Sequence, residues 1–198
     1  MRKLKIIFII VFALIGLVEL AAGIILYRIN PPRDDLKNKN YPSEFFCDKG
    51  AGGIDYQTKG NCSAYAAAYV LRYLGEEIKG EDLAEDMKRI FGFVPATSIV
   101  SVFKNHGFSA KAYHGDISCL KYRLSLGVPV IAFVSVPGDT HYLVVVGYDS
   151  QYFYLVDSLY ENKNIDNACY NRKITVDEFE RIRKTNTLLS DNIYIAVV

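Results

Sequence analysis

The sequence predicts an α+β domain behind one transmembrane helix, and three observations carry that reading. Residues 6–27 are apolar apart from a single ionisable side chain, Glu19. Helical periodicity and helix-stop glycines recur between Cys62 and Gly127. From Val128 onward the apolar pattern shifts to β-rich runs separated by short turn signals. Helices first and antiparallel strands later is an α+β order, here with a central buried helix packed on the sheet.

As a helix, residues 6–27 would be about 33 Å long, enough to cross a hydrocarbon core with slight tilt. Arg2, Lys3 and Lys5 precede the apolar run, which favours a cytoplasmic N-terminus and translocation of the rest. Ala21-Ala22-Gly23 has the small residues of a signal-peptide cut site, but Ile24-Ile25-Leu26 resume the apolar run, so a retained anchor is favoured over a cleaved signal. A soluble core helix seldom stays apolar all round for this length. Residues 1–29 are therefore expected to be a signal anchor, single-pass in the cell membrane, with the remainder extracytoplasmic. Residues 30–40, polar and broken by Pro31-Pro32, read as a linker, and residues 41–198 as the folded domain.

A chain of 198 residues with 51% hydrophobic residues holds one ordinary globular core besides this tail. Basic and acidic residues are interspersed and the net charge is +1, so nucleic acid is not expected as a partner.

Within the domain, residues 63–74 are apolar on every face and end at Gly75, the pattern of a buried helix with a glycine stop. Leu83, Ala84, Met87, Ile90 and Phe91 make a stripe that predicts a second helix over 81–91. Thr97 or Ser98 caps a third through Phe103, ended by Asn105-His106-Gly107, and Asp116 caps a fourth through Leu126, ended by Gly127. Residues 128–136 form a β-rich run, Pro137-Gly138-Asp139 a turn, and 141–148 and 152–156 a hairpin about Asp149-Ser150-Gln151. The capping box Thr175-Val176-Asp177-Glu178 opens a last helix, and residues 192–198 read as a closing strand. The Asn-rich stretch 162–171 is read as a loop with no function.

Cys62 stands at the start of the buried helix, after Gly60-Asn61. Unpaired N–H groups and the positive end of the helix dipole favour a thiolate there, and the thiolate is the reactive form. A nucleophile needs a base. His106 and His114 lie in polar stops and turns, whereas His141 starts the most apolar strand, where a rigid element would hold its ring. Asp157 ends the next strand and is placed to orient that imidazole; Asp149, its competitor, is explained by turn chemistry. Gln57, five positions before Cys62, can offer a side-chain N–H₂ to an oxyanion beside the Cys62 backbone N–H. Cys47, Cys62, Cys119 and Cys169 have no C-x-x-C spacing, which argues against zinc. Outside the cytoplasm two of Cys47, Cys119 and Cys169 are candidates to pair, while a disulfide through Cys62 would remove the nucleophile.

Taken together, Gln57 to Cys62, the helix AYAAAYVLRYLG, GVPVIAFV, HYLVVVGYD with YFYLVDS, and ITVDEF resemble a papain-like cysteine peptidase, and more closely its family-39 domains, relatives of the bacteriocin double-glycine leader peptidases. The resemblance implies a papain-like α+β fold from about Tyr56 onward. It implies Cys62 as nucleophile, His141 as base, Asp157 as orienting residue and Gln57 as oxyanion donor, acting on a peptide or protein substrate without metal or organic cofactor. Ser63 and Ser158 stand where such domains commonly have Gly and Pro. The leader peptidases are usually fused to a transporter and cytoplasmic; this sequence carries no nucleotide-binding motif and is expected to face outward. Self-processing at Gly52-Gly53 is disfavoured, since glycine pairs are common in loops. Two alternatives stay open: a catalytically silent domain that binds a peptide or partner protein through the same cleft, and an acyl or amide transferase using the same thioester.

Overall fold

An apolar run without proline forms α1 (Arg2–Ile29), whose stretch Ile7–Ile29 has a mean hydropathy of 2.8 and is long and apolar enough to cross a membrane. The structure is a computed structural model that describes residues 2–36, 40–47, 50–58, 60–90, 92–185, 187, 189 and 191–198. It divides into two compact units, Met1–Asn30 and Pro31–Val198.

In the second unit, among the described residues, seven strands build one sheet. Its order is β2 (Ala110–His114), β7 (Ile193–Val197), β3 (Val130–Val136), β4 (Asp139–Tyr148), β5 (Tyr152–Val156), β6 (Arg172–Thr175), with β1 (Phe45–Phe46) paired to the end of β4. Every pairing is antiparallel. Strand alternation sends Ile131, Phe133, Tyr142 and Val144 to one core cluster and Val130, Ala132, Leu143 and Val145 to the other. The first cluster is covered by α2 (Cys62–Tyr73) and α3 (Ala96–Asn105). The second is covered by α4 (Ile117–Leu124) through Leu120 and Leu124, and by α5 (Val176–Ile182) through Phe179.

Several expectations meet the structure closely. Residues 63–71 of α2 are buried without interruption, and Gly75 beyond its end has φ +105°. Asp116 caps α4 by accepting from Cys119 N at 2.9 Å, and Thr175 caps α5 by accepting from Glu178 N at 3.2 Å. The 137–138 turn and the Asp149 turn join β3 to β4 and β4 to β5; Asp149 Oδ1 accepts from Gln151 N and Tyr152 N, both at 2.7 Å.

The helix expected over 81–91 does not form, and Phe91 lies outside the described residues. Residues 80–86 turn through bonds such as Ala84 N to Glu81 O, and the chain then bridges Ile90 to Phe93. Gly80 sets this course: a Cβ there would lie 2.5 Å from the Tyr65 ring, so the backbone itself packs on the aromatic face. Leu83 and Met87 still reach the core, which explains the apolar stripe without a helix. α3 begins at Ala96, ahead of the expected Thr97 or Ser98 cap, and the Ser98 hydroxyl donates instead to Lys88 O at 2.8 Å.

Residues 31–36 are not a free linker; residues 37–39 of that expected segment lie outside the described residues. Asp34 N donates to His114 O at 2.9 Å and His114 N to Pro32 O at 3.0 Å, adding a short extended strap beside β2. The buried Asp34 carboxylate pairs with Arg123 through two bonds, at 2.9 and 3.0 Å, and accepts from the Tyr194 hydroxyl.

Candidate active site

Cys62 is the first residue of α2, where helix geometry leaves its N–H without an intrahelical acceptor. Asn61 does not cap the helix with its side chain; its amide oxygen accepts from Arg89 at 3.2 Å, and Arg89 also donates to Gly92 O at 3.1 Å. The guanidinium thereby ties the loop before the thiol to the loop before α3. Gly60, at φ +39°, makes the turn into the helix. The four alanines at 64, 66, 67 and 68 let α2 lie close on β4.

His141 is the third residue of β4, held opposite Val134 of β3 and 2% exposed. Its Nε2 is 2.8 Å from Asp157 Oδ1, and the Cys62 thiol is near enough to the same ring to raise its pKa, with Nδ1 the nitrogen that Asp157 leaves available. Burial opposes a charge on the imidazole, but the hydrogen bonds to Asp157 and Cys62 outweigh it and raise the pKa to about 9.

Asp157 follows β5 directly and is fully buried. Oδ1 also accepts from Leu159 N, while Oδ2 accepts from Asn162 Nδ2 and Arg172 Nη1, all at 2.9 Å. Asn171 grips the backbone of the same residue: its Oδ1 accepts from Asp157 N at 2.8 Å and its Nδ2 donates to Asp157 O at 2.7 Å. Burial alone would raise the carboxyl pKa; the His141 and Leu159 hydrogen bonds and the Arg172 charge hold it below the usual carboxylate range.

Gln57 is tied to the residue after Asp157. Its N–H donates to Ser158 O at 2.9 Å, and its Oε1 accepts from the Ser158 hydroxyl at 2.8 Å. The structure thus brings Cys62, His141 and Asp157 into one chain of contacts and joins Gln57 to the carboxylate end of it. Ser63 is buried, and it shares with Cys62, Phe133, Thr140 and Tyr142 the wall of a cavity of about 100 Å³. Space beside the thiol persists with serine at that position.

The other candidates fall elsewhere. His106 ends α3 and lies 3.8 Å from Glu76, His114 is paired to the strap, and Asp149 is saturated by its turn and by the Tyr154 hydroxyl at 2.6 Å. Gly52-Gly53 is gripped by Arg72, which donates to Ala51 O at 2.8 Å and Gly53 O at 3.3 Å, in the last turn of α2, about 15 Å along the helix from Cys62. None of the four cysteines is joined in a disulfide. Among the described residues no cluster of three or more His, Cys, Asp or Glu side chains is placed to hold a metal ion.

Sequence reasoning missed Asn162, Asn171 and Arg172, all of which hold Asp157. The loop read as functionless, 162–171, supplies two of them. Its composition was the one available signal, because asparagine side chains both donate and accept and so can replace strand pairing where a chain is irregular.

A thiol heading a buried helix, an imidazole on the strand beneath it and a carboxylate just past the next strand define a papain-like cysteine-peptidase fold. The chain belongs to the Peptidase_C39 like family, whose model matches residues 53–187. Among solved structures it is similar to a C39-like peptidase from Bacillus anthracis, with 16% identity, a TM-score of 0.61, and coverage of 79% of this chain and 98% of that one. The peptidase domain of Streptococcus ComA, a bi-functional ABC transporter involved in quorum sensing, has 19% identity and a TM-score of 0.60, covering 74% and 98%. A double glycine motif protease from an AMS/PCAT transporter, solved in complex with the leader peptide, has 20% identity and a TM-score of 0.56, covering 78% and 96%. No curated protein matches the chain. At these identities the likeness shows the fold, and membership of the family rests on the model match over residues 53–187.

Proposed function

We propose that the domain is a membrane-anchored cysteine peptidase that hydrolyses peptide bonds through a covalent thioester. The observation that supports this most is the part-exposed Cys62 beside the buried His141–Asp157 pair. His141 holds the proton of the Cys62 thiol as an imidazolium, the thiolate attacks the substrate carbonyl carbon, and the carbonyl pair moves onto oxygen. The Cys62 backbone N–H and the Gln57 N–H₂ are the donors for that oxyanion. Collapse expels the amine, which leaves with the proton from His141; water, deprotonated by the same ring, then releases the acid. Asp157 keeps the imidazole in one tautomer and balances its charge.

The substrate class is an extended peptide, a reading supported by the AMS/PCAT transporter protease, which was solved with its leader peptide. Residues 1–29 serve as the anchor, and the basic side of the apolar helix favours a domain outside the cytoplasm.

The test is labelling of the protein with a thiol-reactive peptide electrophile. Label confined to Cys62 and lost in His141→Ala is the expected result. Label spread over the accessible cysteines and indifferent to His141 would favour a silent peptide-binding domain. Transfer of the acyl group to an added amine in preference to water would mark a transferase.

A further inference from the structure

We infer that Ser158 is a positioning residue that fixes which end of the Gln57 amide faces the reacting carbonyl, an inference that rests on reading the site as an acyl-transfer centre. A primary amide has a donor end and an acceptor end related by a half-turn of its last side-chain bond. An oxyanion is stabilised by the first and repelled by the second. An unrestrained glutamine in a half-buried loop has no reason to keep its N–H₂ inward.

The Ser158 side chain removes that freedom. It is buried, and among the described residues its hydroxyl is hydrogen-bonded to Gln57 Oε1 alone, at 2.8 Å. A turned amide would set its N–H₂ against the hydroxyl and take away the acceptor of the hydroxyl proton, so the Ser158 hydroxyl selects one orientation. The backbone of Gln57 is held separately. Its N–H bonds to Ser158 O at 2.9 Å, Tyr56 packs edge-on against Tyr160 with centroids 5.0 Å apart, and the Tyr56 hydroxyl accepts from Asn171 at 3.4 Å. Loss of the Ser158 hydroxyl therefore frees the amide and leaves the loop in place. The chain gains this hold from a serine directly after the carboxylate that orients His141, so one short segment, Asp157-Ser158, aligns both the base and the oxyanion donor.

The test compares two reactions of Cys62 in the full-length protein held in detergent. p-Nitrophenyl acetate acylates through an oxyanion: a C–S bond forms, the carbonyl pair moves to oxygen, and its return expels p-nitrophenolate to leave the acetyl thioester. Iodoacetamide alkylates by direct displacement of iodide and forms no oxyanion. Both products are read at Cys62 by mass spectrometry. Ser158→Ala is expected to slow acylation on the order of tenfold, less than the ~10²–10³ typical of deleting an oxyanion donor. It should leave alkylation unchanged, Ser158→Thr should restore the rate, and Ser158→Ala should cost nothing further in a Gln57→Ala background. Wild-type acylation by Ser158→Ala, equal slowing of both reactions, or full additivity with Gln57→Ala would each overturn the inference. If wild-type Cys62 is acylated no faster than in His141→Ala, the acyl-transfer reading itself fails and this inference falls with it.

Discussion

Burial works against a proton on His141, and the hydrogen bonds to Asp157 and Cys62 overcome it, so this imidazole stays charged to about pH 9. Amide hydrolysis, which needs that proton for the departing amine, should fall as pH rises through about 9; in Asp157→Ala the fall should move to lower pH, as a pH profile of turnover would show. The same shift is a stability statement. The folded value lies above the reference 6.5, so the contribution of His141 is complete below pH 6.5 and lost as pH rises through about 9, a slope that His141→Ala should flatten in denaturant titrations. Asn171 matters through the backbone: Asn171→Ala leaves a buried N–H and a buried C=O of Asp157 unpaired, and unfolding should become easier by about 2–4 kcal/mol. At this scale the sequence singled out Cys62, His141, Asp157 and Gln57 as candidates because few residue types can act as nucleophile, base, orienter or donor. It did not disclose Asn162, Asn171 and Arg172, whose partner lies in another segment and whose types are common in any solvated loop.

Among elements, α2 was legible from its unbroken apolar run, since a helix buried all round needs no partner sequence to identify it. Its four small side chains set the distance to β4, so Ala67→Phe should overpack that layer and cost about 1–3 kcal/mol, measured by chemical denaturation. The segment after it misled because an apolar stripe is satisfied equally by a turn that drops Leu83 and Met87 into the core. What decided between the two was Gly80 on the Tyr65 ring, a contact with no trace in local periodicity. Gly80→Ala should therefore lower the melting temperature despite the higher helix propensity of alanine, the reverse of what a helix start would give. β2 and β6 went unread for a different reason. AKAYH and RKIT are short strands at the two ends of the sheet order, carrying the lysines and arginine that edges tolerate and that central strands exclude.

Across the whole molecule, the α+β order and the buried helix on the sheet followed from the change of period near Val128, whereas the covering of the second sheet face by α4 and α5 and the docking of residues 31–36 did not. A stretch rich in proline and charge reads as a tether until its acid is seen to meet Arg123 and Tyr194 inside the fold. Asp34→Ala should destabilise the domain by about 3–5 kcal/mol, because it strands a mostly buried guanidinium, and Asp34→Asn should recover part of that loss in the same denaturation assay. The strap starts at Pro31, in the unit that also holds every site residue. A cut at Ala21-Ala22-Gly23 would thus shed the hydrophobic leader and remove no strap, sheet or site contact described above. Under the proposed function a retained helix would confine the domain to neighbours at the membrane surface, whereas such a cut would let the same domain diffuse to distant substrates, a choice made by processing and not by folding.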